Sequence, residues 1–151
     1  MVTVNDKTIG FAVVITKKIH FSTSGHAEVV NITAEVRRLL AETGLTAGTA
    51  TVFVPGATGA VTTLEYEPGV VQDFQGLFER IAPAAGDYEH NRRFADANGD
   101  AHVRAGLLGP SLVVPFVGGN LCLGRWQEIC FVCFDNRPRE RTVIVQFHGV
   151  S

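Results

Sequence analysis

From Thr8 to Thr23 the chain reads TIGFAVVITKKIHFST, a run of β-branched and aromatic residues that predicts one or two strands. The period then changes. In NITAEVRRLLAETG, Val36, Leu39 and Leu40 recur at helical spacing, Thr33 is placed to cap the helix, and Gly44 stands where a left-handed residue ends one. GTATVFVPG and AVTTLEYEPG follow as two strand candidates, with Gly56 and Gly59 between them. From Pro68 to Pro83, Val70, Val71, Phe74, Leu77, Phe78 and Ile81 again repeat with helical period and predict a second helix.

Residues 83–101 are polar and aperiodic, which predicts a long loop of the kind that often carries function. Beyond it the chain is rich in strand signals: SLVVPFV, a GGN turn, LCLG, WQEICFVCF, a DNRPRE turn and RTVIVQF, together suggesting a meander. In RTVIVQF, Val143, Val145 and Phe147 share one face, and Thr142, Ile144 and Gln146 the other. WQEICFVCF is apolar on both faces and is expected to be covered twice over, with a neighbouring subunit as one candidate cover. No repeat or linker divides the chain. The expectation is one domain over 1–151, of α+β class, with a large, mainly antiparallel, sandwich-like sheet core and two main helices.

Composition sharpens the picture in three places. Hydrophobic residues reach 46% against 19% charged, rich enough for some to be buried between subunits. The net charge of −2 gives no basic excess for nucleic acid. Its distribution is uneven: residues 1–89 hold 6 basic and 10 acidic side chains, whereas residues 90–151 hold 7 arginines and 5 acids. The opening MVTVNDKTIG is too polar for a secretory core and no long apolar span follows, so the sequence implies neither export nor membrane insertion. Cys122, Cys130 and Cys133 are then reduced thiols of a cytoplasmic protein. Cys130 and Cys133 lie three apart on a predicted strand, so they face opposite sides and read as small core hydrophobes rather than a metal pair.

Candidate chemistry gathers in YEHNRRFADANGDAHVRAGLLGPS, residues 88–111. A loop can bring His90 and His102 onto one site, and imidazole is the commonest ligand for a transition metal. Glu65, Asp96, Asp100 and Asn98 are candidates to complete it. Two histidines and a carboxylate would leave Zn²⁺ an open position, and Mg²⁺ is the other divalent candidate. Loop histidines are as a rule solvated or structural, and an anion held by the imidazoles is a rival reading. On a strand, Trp126 and Gln127 would point to opposite faces, Trp126 covering the core and Gln127 meeting a heterocycle amide or a phosphate. Ser111 offers a hydroxyl and a backbone N–H to an anion. Arg137, Arg139 and Arg141, two apart, project together if extended. They read as a hairpin tip, a cationic rim for phosphate, or an intersubunit pair with an acid such as Asp135.

Three segments, FVPGATGAVTTLEYEPG, YEH followed by NGDAHVRAGLLGPS, and GGNLCLGRWQEICFVCFDNRPRER, resemble in this order the YjbQ-like family, also named the secondary thiamine-phosphate synthase enzyme family. The resemblance covers roughly residues 9–149, and the glycine, one residue, then Trp-Gln is its most specific element. It implies an α+β domain assembling as a homotrimer. It also implies an activity joining a pyrimidine diphosphate to a thiazole phosphate with release of pyrophosphate. A divalent metal and phosphorylated small-molecule ligands go with that activity. Carried over residue by residue, it points to Glu65, His90, His102 and Gln127 as catalytic groups, with His90 and His102 on a metal. Thr58, Asn98, Ser111, Arg137 and Arg141 would bind ligand or phosphate. Many members begin the segment here reading GATG with a histidine followed by two threonines. In this chain Gly56 and Ala57 replace the histidine and the first threonine, and Thr58 remains. A non-catalytic trimeric binder of a small molecule, metal or anion is therefore the alternative expectation.

Overall fold

A computed structural model describes residues 11–151 as two antiparallel sheets with four helices. The part of the first strand prediction before residue 11 lies outside the described residues. The large sheet contains β1 (Val13–Thr23), β3 (Ala47–Phe53), β5 (Ser111–Val117), β6 (Asn120–Leu121) and β8 (Arg139–Val150), in the order β1-β8-β3-β5-β6. The small sheet contains β2 (Glu28–Asn31), β4 (Gly59–Leu64) and β7 (Glu128–Cys133), in the order β2-β7-β4. The helices are α1 (Thr33–Ala41), α2 (Pro68–Ile81), α3 (Glu89–Arg93) and α4 (Gly99–Leu108).

The alternation along β7 fixes how the layers stack. Ile129, Phe131 and Cys133 pack with α1 and the inner face of the large sheet, among Val36, Leu40, Val52, Phe116, Val145 and Phe147. Cys130 and Val132, pointing the other way, pack with Phe78 of α2 and with Ala101 and Ala105 of α4. The small sheet is thus the middle layer. Each fully buried β7 side chain contributes about 1.5–3 kcal/mol of apolar burial. The double cover expected for this strand comes from the same chain and not from a neighbouring subunit. Cys130 and Cys133 do face opposite sides, one in each core cluster.

Four further expectations are corrected. Successive C-terminal strands do not form a meander, because β7 belongs to the small sheet while β5, β6 and β8 belong to the large one. There are four helices rather than two, since the predicted loop over 83–101 contains α3 and the start of α4. Thr33 does not cap α1: the Asn31 Oδ1 accepts from its backbone N–H at 2.9 Å, and its hydroxyl accepts from the Ile129 N–H across the core at 2.7 Å. Trp126 and Gln127 lie in a turn, not a strand, and Trp126 is 62% exposed instead of covering the core. The GGN turn is as predicted. Gly118 and Gly119 both take positive φ, 58° and 73°, the two-residue turn that matches strand twist between Val117 and Asn120.

Val14, Phe53, Val113 and Val117 leave apolar side chains exposed along the outer face of the large sheet. Among the described residues no helix is long and apolar enough to cross a membrane.

Candidate metal centre

Histidine 90 is carried by α3, a single turn whose last carbonyl-to-amide link runs from the Phe94 N–H to the His90 carbonyl, 2.9 Å. The Phe94 ring lies against the imidazole with centroids 4.9 Å apart. The chain then bends through Ala97, a non-glycine residue at φ +50°, and starts α4 at Asn98, whose carbonyl accepts from the N–H groups of Ala101 and His102 at 3.0 and 3.3 Å. The Asn91 Oδ1 accepts from the Gly99 N–H at 2.9 Å, so a side chain of α3 satisfies the first orphan donor of α4. Glycine is required there: a Cβ on residue 99 would meet the Tyr88 Cβ at 2.6 Å and the Asn91 Oδ1 at 2.9 Å.

This junction puts His102, one turn into α4, against His90, ring centroids 4.5 Å apart and planes inclined by 50°. Asp96 Oδ1 lies 3.1 Å from His90 Nε2. One ligand atom from each of His90, Asp96 and His102 falls within 4.8 Å of the others. Asn98, nearly fully buried, lies beside them. With its amide nitrogen turned inward it donates to both Asp96 oxygens, at 3.2 and 3.3 Å, and to His90 Nε2 at 3.1 Å. A second asparagine fixes the loop from outside: Asn136 Nδ2 donates to the carbonyls of Asp96 at 2.8 Å and Ala97 at 3.1 Å. Two imidazole nitrogens and one carboxylate, steadied by amides that touch them, form the donor set of an open zinc site. Magnesium, which prefers oxygen ligands in a full octahedron, suits it poorly.

Other predicted site residues lie elsewhere in the chain. Thr58 and Arg141 belong to a buried network around Asp135, which is 1% exposed. The Thr58 hydroxyl donates to Asp135 Oδ2 at 3.0 Å and Arg139 Nε to the same oxygen at 2.7 Å. Arg141 Nη2 donates to the Thr58 hydroxyl at 3.1 Å and to the Cys133 sulfur at 2.9 Å. Burial alone would push the Asp135 pKa up; hydrogen bonds from Arg139 and Thr58, the Arg139 charge and the Asn136 N–H outweigh it and hold the carboxyl below its ordinary range. Arg139 and Arg141 do share a face of β8, but they serve this internal ion pair, not an intersubunit one, and only Arg137 remains exposed in the turn.

Ser111 and Gln127 line a hollow of about 360 Å³ between β4 and β5, where Gln127 Oε1 accepts from the Gly124 N–H at 2.8 Å. Glu65 stands outside the histidine cluster, in a separate hollow with Tyr66, Arg125 and Trp126, where the Arg125 guanidinium lies 4.8 Å from the Trp126 ring centroid. Within one chain, then, the structure unites His90, His102 and Asn98 with Asp96, and leaves Glu65, Gln127, Ser111, Thr58 and Arg141 apart from them. Asn136, Asn91 and Gly99 escaped the sequence reading. Asn136 sits in a segment legible only as a turn, and nothing local says what its amide will reach.

The family model described as UPF0047 protein, YjbQ-like, matches residues 17–150. A UPF0047 protein of Archaeoglobus fulgidus is 38% identical over 129 residues, covering 85% of this chain and 98% of its own length. The UPF0047 protein YugU of Bacillus subtilis is 35% identical, with 88% and 98% covered. Among solved structures, a protein of unknown function from Sulfolobus solfataricus, described as YbjQ-like, superposes with a TM-score of 0.87 at 30% identity, over 92% of this chain and 99% of that one. An uncharacterised YjbQ/UPF0047 protein from Clostridium acetobutylicum gives 0.80 at 33% identity, over 87% and 98%. Motifs, fold and these likenesses agree: the chain belongs to the YjbQ-like UPF0047 family.

Proposed function

We propose that this protein binds a divalent metal ion, zinc by the chemistry of the donors, through His90, Asp96 and His102. The open coordination positions would take oxygen atoms of a phosphorylated small molecule. The observation that carries the reading is the approach of three ligand atoms to within 4.8 Å of one another, drawn from a helix, a bend and a second helix. A solvated loop has no reason to converge two imidazoles and a carboxylate; an ion that neutralises and bridges them supplies one.

The reaction proposed for the site is the one the family resemblance implies, transfer of a pyrimidine from its diphosphate to a thiazole phosphate with loss of pyrophosphate. A bound cation would stabilise the charge developing on the departing pyrophosphate. Gln127, Ser111 and Glu65 lie away from the histidines within one chain, so a homotrimer is part of the proposal, with a neighbour's hollow facing the metal. The open apolar face of the large sheet, with Phe53, Val113 and Val117, is its proposed contact. A second reading, a metal-dependent binder without turnover, is favoured by Gly56, which puts no side chain where many relatives place a histidine.

The test is metal analysis of the purified protein, then assay of the two phosphorylated substrates with and without zinc. The reading expects about one zinc per chain, lost in H102A, with pyrophosphate released only by the loaded protein. Zinc without turnover leaves the binder; absence of zinc binding removes both.

A further inference from the structure

Behind the bend that carries Asp96, a second hollow of about 220 Å³ opens on the side of the molecule facing α2. Its wall includes two charged side chains that are almost wholly buried, Asp100 at 6% exposure and Arg104 at 4%. Glu79, His26, Ala97 and Asn136 complete its polar lining. Two segments in strained backbone geometry meet here. Gly25, His26 and Ala27 take positive φ in succession, at 88°, 57° and 60°, and Ala97 does so at 50° from the opposite wall. Left-handed conformations at non-glycine residues persist only where surrounding contacts enforce them, and they cluster at binding sites.

The charges define what the hollow can hold. Two carboxylates face one guanidinium, leaving one negative charge in excess with His26 neutral. Arg104 itself displays the matching chemistry: Nη2 donates to Glu79 Oε2 at 2.7 Å and Nε to the Ala82 carbonyl at 2.8 Å, while Asp100 Oδ2 stands 3.6 Å off, beyond hydrogen-bond reach. Asp100 is therefore a buried carboxylate whose only close cation is already engaged elsewhere. A further planar cation with paired N–H donors would satisfy it as guanidinium and amidine groups satisfy carboxylates generally. A volume of 220 Å³ admits one substituted ring, below the roughly 300–1,000 Å³ of sites for larger ligands.

We propose that this hollow is a binding site for a small amidine-type cation, a planar N–C–N face whose N–H groups donate to Asp100 and Glu79. Benzamidine presents that face, and so does a protonated aminopyrimidine. The assignment rests on no metal and on no reaction at the histidine cluster.

The probe is benzamidine, followed by amide chemical shifts in the full-length protein, with uncharged benzamide as its isosteric control. Saturable shifts are expected at Ala27, Ala97 and Asn136, with benzamide binding at least about tenfold weaker, the loss expected when a charge-assisted pair becomes neutral. Ala84→Trp, at the rim of the hollow and outside its buried ion pairs, should abolish the shifts. D100N should weaken binding by a similar factor if its fold is intact by circular dichroism. H102A should leave benzamidine binding unchanged while removing zinc, so the two proposals fail separately. Equal affinity for benzamide, undiminished binding by Ala84→Trp, or shifts confined to other parts of the protein would each overturn the proposal.

Discussion

Asn136 reaches back forty residues to donate its amide N–H groups to the carbonyls of Asp96 and Ala97, at 2.8 and 3.1 Å. The residue before it, Asp135, is locked in the buried network of Thr58, Arg139 and Arg141, so the bend holding the metal-facing carboxylate is fastened to the most constrained turn of the fold. Asn136→Ala removes that fastening and no ligand. The expected result is a fall of about 10- to 100-fold in zinc affinity, the usual effect of losing an outer-shell partner, with a nearly unchanged melting temperature. Competition titration against a chromogenic chelator measures it; unchanged affinity would show that Asp96 holds its place unaided.

Gly99→Ala tests the junction between α3 and α4. The added methyl would meet the Tyr88 Cβ at 2.6 Å, and the clash has backbone-borne atoms on both sides, so the helices must move apart. Overpacking of this kind costs about 1–3 kcal/mol, read as a lowered denaturant midpoint. Because the Asn91 bond to the Gly99 N–H also sets the approach of His102 to His90, zinc affinity should fall in the same variant. Stability and affinity both equal to wild type would mean that the junction tolerates a side chain.

How much of this was legible in sequence depended on whether apolar period and burial agree. In α2 they do: Val70, Val71, Phe74 and Phe78 mark the helix, and Phe78 enters the core. In α4 they are inverted. Its buried face is Asp100, Ala101, Arg104 and Ala105, small or charged, while Val103 and Leu107 are exposed at 51% and 64%. A helix that buries an ion pair and alanines gives no apolar stripe, so the segment reads as loop. Four-residue β2 is too short to show a period. The histidine pair was legible from residue type and from family motifs. Its carboxylate was not singled out: Asp96 and Glu65 were equal candidates, and only the left-handed bend at Ala97 and the reach of Asn136 choose between them.

Thiol chemistry separates the three cysteines. Cys122 is exposed at the rim of the hollow shared with Ser111 and Gln127. Burial, with the Glu128 charge adding to it, pushes the Cys130 thiol up to about 11, so almost no thiolate exists at neutral pH. Cys133 is buried beneath Arg141 and receives the Thr23 hydroxyl at 3.2 Å. A disulfide-exchange reagent at pH 8 should therefore titrate one thiol in the native protein and three after denaturation. Two or more rapid equivalents in the native state would contradict the two-sided burial of β7.

Acid stability should trace Asp135. Its carboxylate takes hydrogen bonds from Arg139, Thr58 and the Asn136 N–H, and its folded pKa lies below the unfolded value of about 3.9. A depressed folded pKa means that the stabilisation is complete well above pH 4 and is lost as pH falls through the folded pKa, where the native carboxylate must take up a proton. Asp135→Asn removes the charge and leaves Arg139 and Arg141 facing a neutral amide in a site that is 1% exposed. Breaking one side of a buried pair costs about 3–5 kcal/mol. The expected denaturation curves therefore differ by that amount at pH 7 and converge as pH falls below about 4, because wild type loses there what the variant already lacks. Urea midpoints measured across this range decide the matter. A gap that stays constant with pH would mean that the stabilisation comes from the shape of the network and not from the ionised carboxylate.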